Sequence, residues 1–237
     1  MIIVVFHKLT RRPILGTSWH TPHQFETTLR WFKEKGFKGI DPIELLKSPN
    51  FLKEKSLLVT FDDGYREVYT LGLPILEKYG FKPLIFLIAG YIGKENRWDY
   101  GVRFRHLGWE EIMELKRRGY VFGSHTLTHP DLTKLSLKEL YRELSESKRI
   151  LEDKLGRIEF LSYPFGRYNE RIKEMAREIG YRMAFGYDSG GDSDRMAMGR
   201  IPLRFMDIPP LLGIKSKRSY RRIESNLYKI FLRLRNG

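Results

Sequence analysis

The chain contains no cysteine among its 237 residues. Disulfides and thiolate metal ligands are excluded, so any transition-metal site must be built from His, Asp and Glu. Histidine is itself scarce, with six copies. No apolar run approaches the ~18 residues of a membrane-spanning helix. The apolar start Met1-Ile2-Ile3-Val4-Val5-Phe6 is too short for a span or a signal peptide and lacks a basic leader. This places the chain as written in the cytoplasm or at the inner membrane surface, and outside the cytoplasm if a leader has been removed. There is no G-x-G-x-x-G and no phosphate-loop motif, so nucleotide binding lacks support. Repeats and low-complexity segments are also missing.

What is present is a globular composition, 41% hydrophobic and 14% aromatic, long enough for one large α/β domain. Net charge is +14, from 43 basic and 29 acidic residues. The excess gathers at the end, in Lys215-Ser216-Lys217-Arg218-Ser219-Tyr220-Arg221-Arg222 and Leu232-Arg233-Leu234-Arg235. The plain reading of 213–237 is a solvated, basic, helical tail following a domain over 1–212. The alternative is a peripheral contact with an anionic membrane face. No nucleic-acid partner is expected, and oligomeric state is not legible. The Lys, Arg and Glu load also suits a thermostable protein.

Strand and helix patterns alternate. Strands are expected at 2–6, 57–61, 83–89, 120–123, 159–163, 181–185 and 200–205. Helices are expected at 22–35, 71–79, 110–118 and 170–179, each stopped by a glycine. A long helix opens on the capping box Ser136/Glu139 and stops at Gly156. Repeated strand–helix units imply a parallel sheet with right-handed crossovers, either a barrel or an open doubly wound sheet. In both, chemistry belongs at the C-terminal ends of strands. His7, Asp62 and Asp63, His125 and Tyr163-Pro164-Phe165-Gly166 all fall there.

Asp62 and Asp63 end the apolar run Leu57-Leu58-Val59-Thr60-Phe61. Adjacent carboxylates repel, burial penalises both, and a cation relieves the conflict. An ordinary Asp-Gly turn with one aspartate capping the next helix is the bland account, but it leaves the second carboxylate unexplained. His125 and His129 are spaced H-x-x-x-H. Two surface histidines one helical turn apart would look the same, yet Gly123-Ser124 before them and Pro130 after make this a strand end and loop. Together, Asp63, His125 and His129 form an Asp-His-His set suited to zinc or another divalent metal, with coordination positions left open. Asp62 stays beside the metal, able to take a proton from metal-bound water as that water becomes the nucleophile. This is machinery for hydrolysing an amide or ester.

Thr60-Phe61-Asp62-Asp63-Gly64, Gly123-Ser124-His125-Thr126-Leu127-Thr128-His129 and Tyr163-Pro164-Phe165-Gly166 resemble the three leading motifs of polysaccharide deacetylases with the NodB homology domain, carbohydrate esterase family 4. The resemblance spans residues 1 to about 205. It implies a single-domain, distorted (β/α)7 TIM-like barrel and a metal-dependent hydrolase that removes N-acetyl groups from an amino-sugar polymer or glycolipid. By it, Asp62 is the general base, and Asp63, His125 and His129 hold the metal, zinc first with cobalt or nickel as alternatives. The backbone N–H of Phe165 helps stabilise the oxyanion. The competing functions are an amidase on a non-sugar carbon–nitrogen bond and a non-catalytic glycan- or membrane-binding relative.

Two departures stand out. Most family members carry an arginine two residues before the proline of the third motif, where this chain has Ser162, and most carry a late acid histidine, where this chain has none after His129. His7, at the end of the first strand, meets the second gap, because barrel closure sets first and last strands side by side. That motif order resembles the permuted branch acting on poly-β-1,6-N-acetylglucosamine, which also lacks the third-motif arginine. His7 is thus the expected general acid. Arg200 is the candidate orienting residue for Asp62, and Asp188 or Asp192 for His7. Tyr65, Trp98-Asp99, Tyr163 and Tyr168 are candidates for a sugar platform, with core packing as their alternative. His20 and His23 read as surface residues and His106 as structural.

Overall fold

The computed structural model describes residues 1–47, 55–96, 102–187, 194–207 and 213. The chain opens with β1 (Ile2–Phe6), β2 (Lys8–Leu9), β3 (Trp19–His20), α1 (Pro22–Glu34), β4 (Lys38–Gly39), α2 (Pro42–Lys47) and β5 (Ser56–Phe61). A π-helical turn at Val68–Gly72 leads into α3 (Leu73–Tyr79) and β6 (Pro83–Leu87). Next come α4 (Trp109–Arg117), β7 (Val121–Ser124), α5 (Leu137–Leu155), β8 (Phe160–Ser162) and α6 (Glu170–Glu178). The last strands are β9 (Met183–Gly186), β10 (Met198–Gly199) and β11 (Ile201–Pro202).

The main sheet runs β10-β9-β8-β7-β6-β5-β1-β11, and its pairings are parallel. Arg200 separates β10 from β11. The short stretch around it therefore pairs with β9 on one edge, Met198 opposite Phe185, and with β1 on the other, Ile201 opposite Val4. Arg200 N–H donates to Gly186 O at 3.1 Å, and Leu203 N–H to Val5 O at 3.0 Å. The sheet thus returns on itself as a (β/α)7 barrel, in which β10 and β11 together form the closing strand. β4 adds to the start of β5, before β6 begins to pair.

Period-two alternation sorts the side chains. Ile3, Leu58, Leu84, Phe86, Phe160, Met183 and Phe185 form the inner cluster, with Ile40, Leu45 and Leu46 joining it. The alternate residues Ile2, Val4, Phe6, Leu57, Val59, Phe61, Ile85 and Leu87 face the helices, against Phe25, Leu29, Phe32, Leu76, Leu144 and Leu151. Each such buried side chain contributes about 1.5–3 kcal/mol. Continued towards the strand ends, the same alternation aims Thr60 and Asp62, Ser162, Arg200 and His7 inward.

The helices are set by local signals. Thr21 and Gln24 cap α1 reciprocally with Pro22 at its start, and Ser136 and Glu139 do the same for α5. Three expected boundaries move. β6 stops at Leu87, because the chain turns at Ala89–Tyr91, where a Cβ on Gly90 would lie 2.6 Å from Leu127 O. The helix expected from 71 begins as the π-turn at Val68, and the closing strand begins at Met198. β2, β3 and β4, two residues each, are too short to leave a periodic signal. No described helix is long and apolar enough to cross a membrane. The basic segment 214–237 lies outside the described residues.

Candidate active site

β5 ends by delivering two carboxylates to different places. Asp62 continues the strand: its N–H donates to Phe6 O at 3.0 Å, and the residue is 1% exposed. Asp63 then turns into the left-handed region at φ 66°, followed by Gly64 at φ 65°, where a Cβ would lie 2.7 Å from Leu87 Cδ2. The turn swings the Asp63 carboxylate away from that of Asp62. His106, 2% exposed, braces the backbone of this turn through a 2.7 Å hydrogen bond from Nδ1 to the Asp63 carbonyl oxygen.

β7 delivers His125, whose N–H donates to Leu87 O at 2.7 Å. Its Nδ1 lies 2.8 Å from Ser162 O. A carbonyl only accepts, so Nδ1 carries the proton and Nε2 keeps a lone pair. Asp63 Oδ1 lies 3.5 Å from His125 Nε2 and 3.5 Å from His129 Nε2. The three ligand atoms lie within 4.8 Å of one another. Burial pushes both imidazoles down to about 4, so they are neutral at pH 7. Asp63 Oδ1 is buried without a hydrogen-bond partner among the described residues, which a carboxylate oxygen tolerates when a cation completes it. The edge of a tetrahedron with arms of about 2.1 Å is about 3.4 Å, so the donor set fits a divalent metal in type and in span.

Asp62 has a different environment. Arg200 Nη1 donates to Asp62 Oδ1 at 2.7 Å and Nη2 to Oδ2 at 2.8 Å, a bidentate pair with side chains 0% and 2% exposed. Ser162 Oγ donates to Asp62 Oδ2 at 3.1 Å and accepts from Arg200 Nη2 at 2.8 Å. Arg200 Nη1 also reaches Thr60 Oγ1 at 3.2 Å. Phe86 and Phe185 flank the guanidinium, at 5.4 and 5.9 Å from the ring centroids. Burial opposes ionisation of Asp62, but Arg200, then His125 and His7, outweigh it and hold the carboxyl well below the usual range. Arg200, from the barrel's closing strand, thus meets Asp62 beside Ser162, where the third motif lacks its arginine.

His7 lies at the same mouth, close enough to act electrostatically on Asp62 and His129. Its Nε2 lies 3.3 Å from Tyr187 Oη, and its Nδ1 is buried with no hydrogen bond among the described residues. Tyr187 was not anticipated, although it follows an expected strand and so stands at the mouth. Its ring packs where a Cβ on Gly166 would lie, 2.6 Å away, which ties His7 to the Phe165 loop. Phe165 is 46% exposed, with φ 58°, and its ring sits edge-on to His129 at 4.8 Å. Of five described non-glycine residues with positive φ, Asp63, Thr126, His129 and Phe165 are at this site. Backbone strain gathers where the surroundings over-determine it.

Other expectations are corrected by burial. Tyr65 and Tyr163 are 0% exposed. Tyr65 stacks on His106, while Tyr163 donates to Met196 O at 2.9 Å and stacks on Tyr168. Neither presents a face to a sugar, because Tyr163 packs in the shell beneath the helices and Tyr65 is enclosed with Phe104 and His106. His20 is not a surface residue: it is 1% exposed against Phe6, and burial lowers it to about 4. His23 is exposed and His106 buried, as expected. Trp98, Asp99, Asp188 and Asp192 lie outside the described residues.

The polysaccharide deacetylase family model matches residues 50–184, a span that includes Asp62, Asp63, His125, His129 and the third motif. The chain belongs to the polysaccharide deacetylase family. YxkH of Bacillus subtilis is 31% identical over 201 residues, covering 83% of this chain and 67% of that protein. The poly-β-1,6-N-acetyl-D-glucosamine N-deacetylase of Staphylococcus aureus is 24% identical over 177 residues, or 70% of this chain. This deacetylase-family chain matches 60% of the length of that enzyme. Among solved structures, the Streptococcus pyogenes deacetylase PplD in complex with acetate superposes with a TM-score of 0.78 at 24% identity, over 92% of this chain and 98% of that one. IcaB from Ammonifex degensii gives 0.75 at 24% identity, over 90% and 96%. At that identity the two superpositions show the shared barrel fold.

Proposed function

We propose that this deacetylase-family chain hydrolyses the N-acetyl group of an amino sugar in a glycan or glycolipid, yielding acetate and a free amine. The observation that carries the reading is the convergence of Asp63 Oδ1, His125 Nε2 and His129 Nε2 beside a second carboxylate, Asp62, which Arg200 holds apart from them. Asp63, His125 and His129 would hold the metal, zinc by donor chemistry, with cobalt or nickel as substitutes. When bound, a divalent ion supplies Lewis acidity, acidifying a water and polarising the acetyl carbonyl.

The chain's own groups do the rest. Asp62 is ionised and would accept the proton of the attacking water. Arg200 and Ser162 fix its two oxygens: Oδ2 accepts from both, while Oδ1 accepts from Arg200 and keeps a lone pair for the proton. The Phe165 N–H would donate to the carbonyl oxygen as it gains charge. His7 donates a proton to the departing nitrogen, with Tyr187 orienting its ring. The N-acetylated substrate class follows from the family and from the named activity of the Staphylococcus aureus relative. The basic tail would form a separate segment after the barrel and a candidate contact for an anionic surface.

The test is an acetate-release screen across β-1,4- and β-1,6-linked N-acetylglucosamine oligomers with added zinc, cobalt or nickel. Metal-dependent acetate release on one linkage is expected. Stoichiometric metal binding with no acetate from any oligomer, but turnover of non-sugar amides, would replace the sugar substrate with another amide.

A further inference from the structure

Helix α5 carries a carboxylate where its docking face calls for an apolar residue. Leu140, Leu144 and Leu151 seat the helix on the sheet, and Glu143, 5% exposed, stands among them. Its oxygens reach into the middle of the His125–His129 loop. Oε2 accepts from Leu127 N–H at 3.0 Å and Thr128 N–H at 2.9 Å, and Oε1 accepts from Thr128 Oγ1 at 2.6 Å. One helical turn on, Ser147 bonds Ser124 Oγ at 2.9 Å, and that oxygen accepts from Thr126 N–H at 3.1 Å.

The loop needs this support. Thr126 and His129 both have positive φ, 67° and 64°, conformations that β-branched and bulky residues avoid. His125 is anchored from the sheet, through Leu87 O and Ser162 O. The backbone of His129 is tied back through Thr126, whose Oγ1 accepts its N–H at 3.0 Å. Without the carboxylate, the buried Leu127 N–H and the part-buried Thr128 N–H lose their acceptor, and the loop gains a reason to turn away from the helix. Docking α5 does not require the charge, since a leucine would fill the same face.

We infer that Glu143 is the positioning residue of the metal loop, setting His129 at ligating distance from Asp63 through the peptide groups of Leu127 and Thr128. This rests on the reading that Asp63, His125 and His129 bind a divalent metal. Mutations of such outer-shell partners typically cost 10–100-fold in metal affinity.

The experiment titrates zinc into the metal-free full chain against a chromophoric chelator, with Tm recorded for every variant. Glu143→Leu is expected to weaken zinc binding about 10–100-fold. Glu143→Gln keeps a carbonyl oxygen for the two N–H groups and should lose only a few-fold. Leu140→Ala, a packing change on the same helix, should lower Tm and leave zinc affinity within twofold. If Glu143→Leu does not fold, Thr128→Val removes one of the three donors and should still weaken binding several-fold. Zinc affinity within twofold of wild type in Glu143→Leu, or in both Glu143→Gln and Thr128→Val, overturns the inference, as does an equal loss in Leu140→Ala. Wild-type protein that binds no zinc overturns the metal reading and this inference together.

Discussion

At the scale of the residue, Asp62 and Asp63 show how two identical, adjacent side chains acquire different chemistry. The difference is one backbone torsion: Asp62 stays in the strand and meets Arg200, while Asp63 turns left-handed and meets two neutral imidazoles. Asp62→Asn should therefore keep zinc and lose turnover by about 10²–10⁴, read as acetate release at equal metal occupancy. Loss of zinc in that variant would place Asp62 among the ligands. The same change leaves Arg200 buried without its counter-ion, so a lower Tm is expected, equivalent to about 3–5 kcal/mol. His7→Ala should retain zinc and slow hydrolysis of an N-acetyl amide far more than that of an activated acetyl ester, whose leaving group needs no proton. Equal slowing of both substrates would remove the acid role.

At the scale of the element, the site depends on where strands end and on which strand closes the barrel. β5, β7 and β8 are legible in the sequence because their apolar cores are followed by polar residues in motif order. The closing strand is harder to read, since Arg200 interrupts it and its two halves pair with different partners. Its guanidinium reaches Asp62 from 138 positions later in the chain. If the role is that of a guanidinium in a given place, it should be transferable. Arg200→Ser alone should abolish most turnover, and adding Ser162→Arg, which restores the arginine at the third-motif position, should recover part of it in kcat. A double variant no better than Arg200→Ser would mean that the entry direction of the guanidinium matters as well as its charge. The aromatic candidates misled for a related reason. Tyr65 and Tyr163 have the composition of a sugar platform, but strand alternation turns Tyr163 outward beneath the helices, and the loop residues Phe104 and His106 enclose Tyr65.

At the scale of the whole molecule, the protein buries several titratable groups in uncharged form, and its stability should report them. His20, His125 and His129 are lowered by burial from 6.5 to about 4 in the folded, metal-free chain. Between those values the unfolded chain takes up protons that the folded chain does not, so stability falls as pH drops from about 6.5 towards 4. The Tm of metal-free protein should decline through that window; a flat profile would show that these imidazoles are not buried neutral. Zinc at about 100 times its dissociation constant should add about 2.7 kcal/mol, roughly 5–10 °C in Tm for a chain of this size, reversed by a chelator. No shift with zinc would leave the three converging ligands without a ligand to hold.

What the sequence by itself determined is local. Alternating strands and helices and capping boxes name the fold class, and a pair of carboxylates and a pair of histidines at strand ends nominate the candidate metal ligands, because each of these signals depends on neighbours a few positions apart. His7 and Arg200 could be nominated from the sequence. Only the tertiary structure put them at the same mouth, through closure of the first strand on the last. It alone decided that Tyr65, Tyr163 and His20 are core, that Tyr187 meets His7, and that Glu143 braces the histidine loop. These are contacts between residues distant in sequence, and the packing of the barrel and its helices, not any local pattern, sets which side of an element each residue faces.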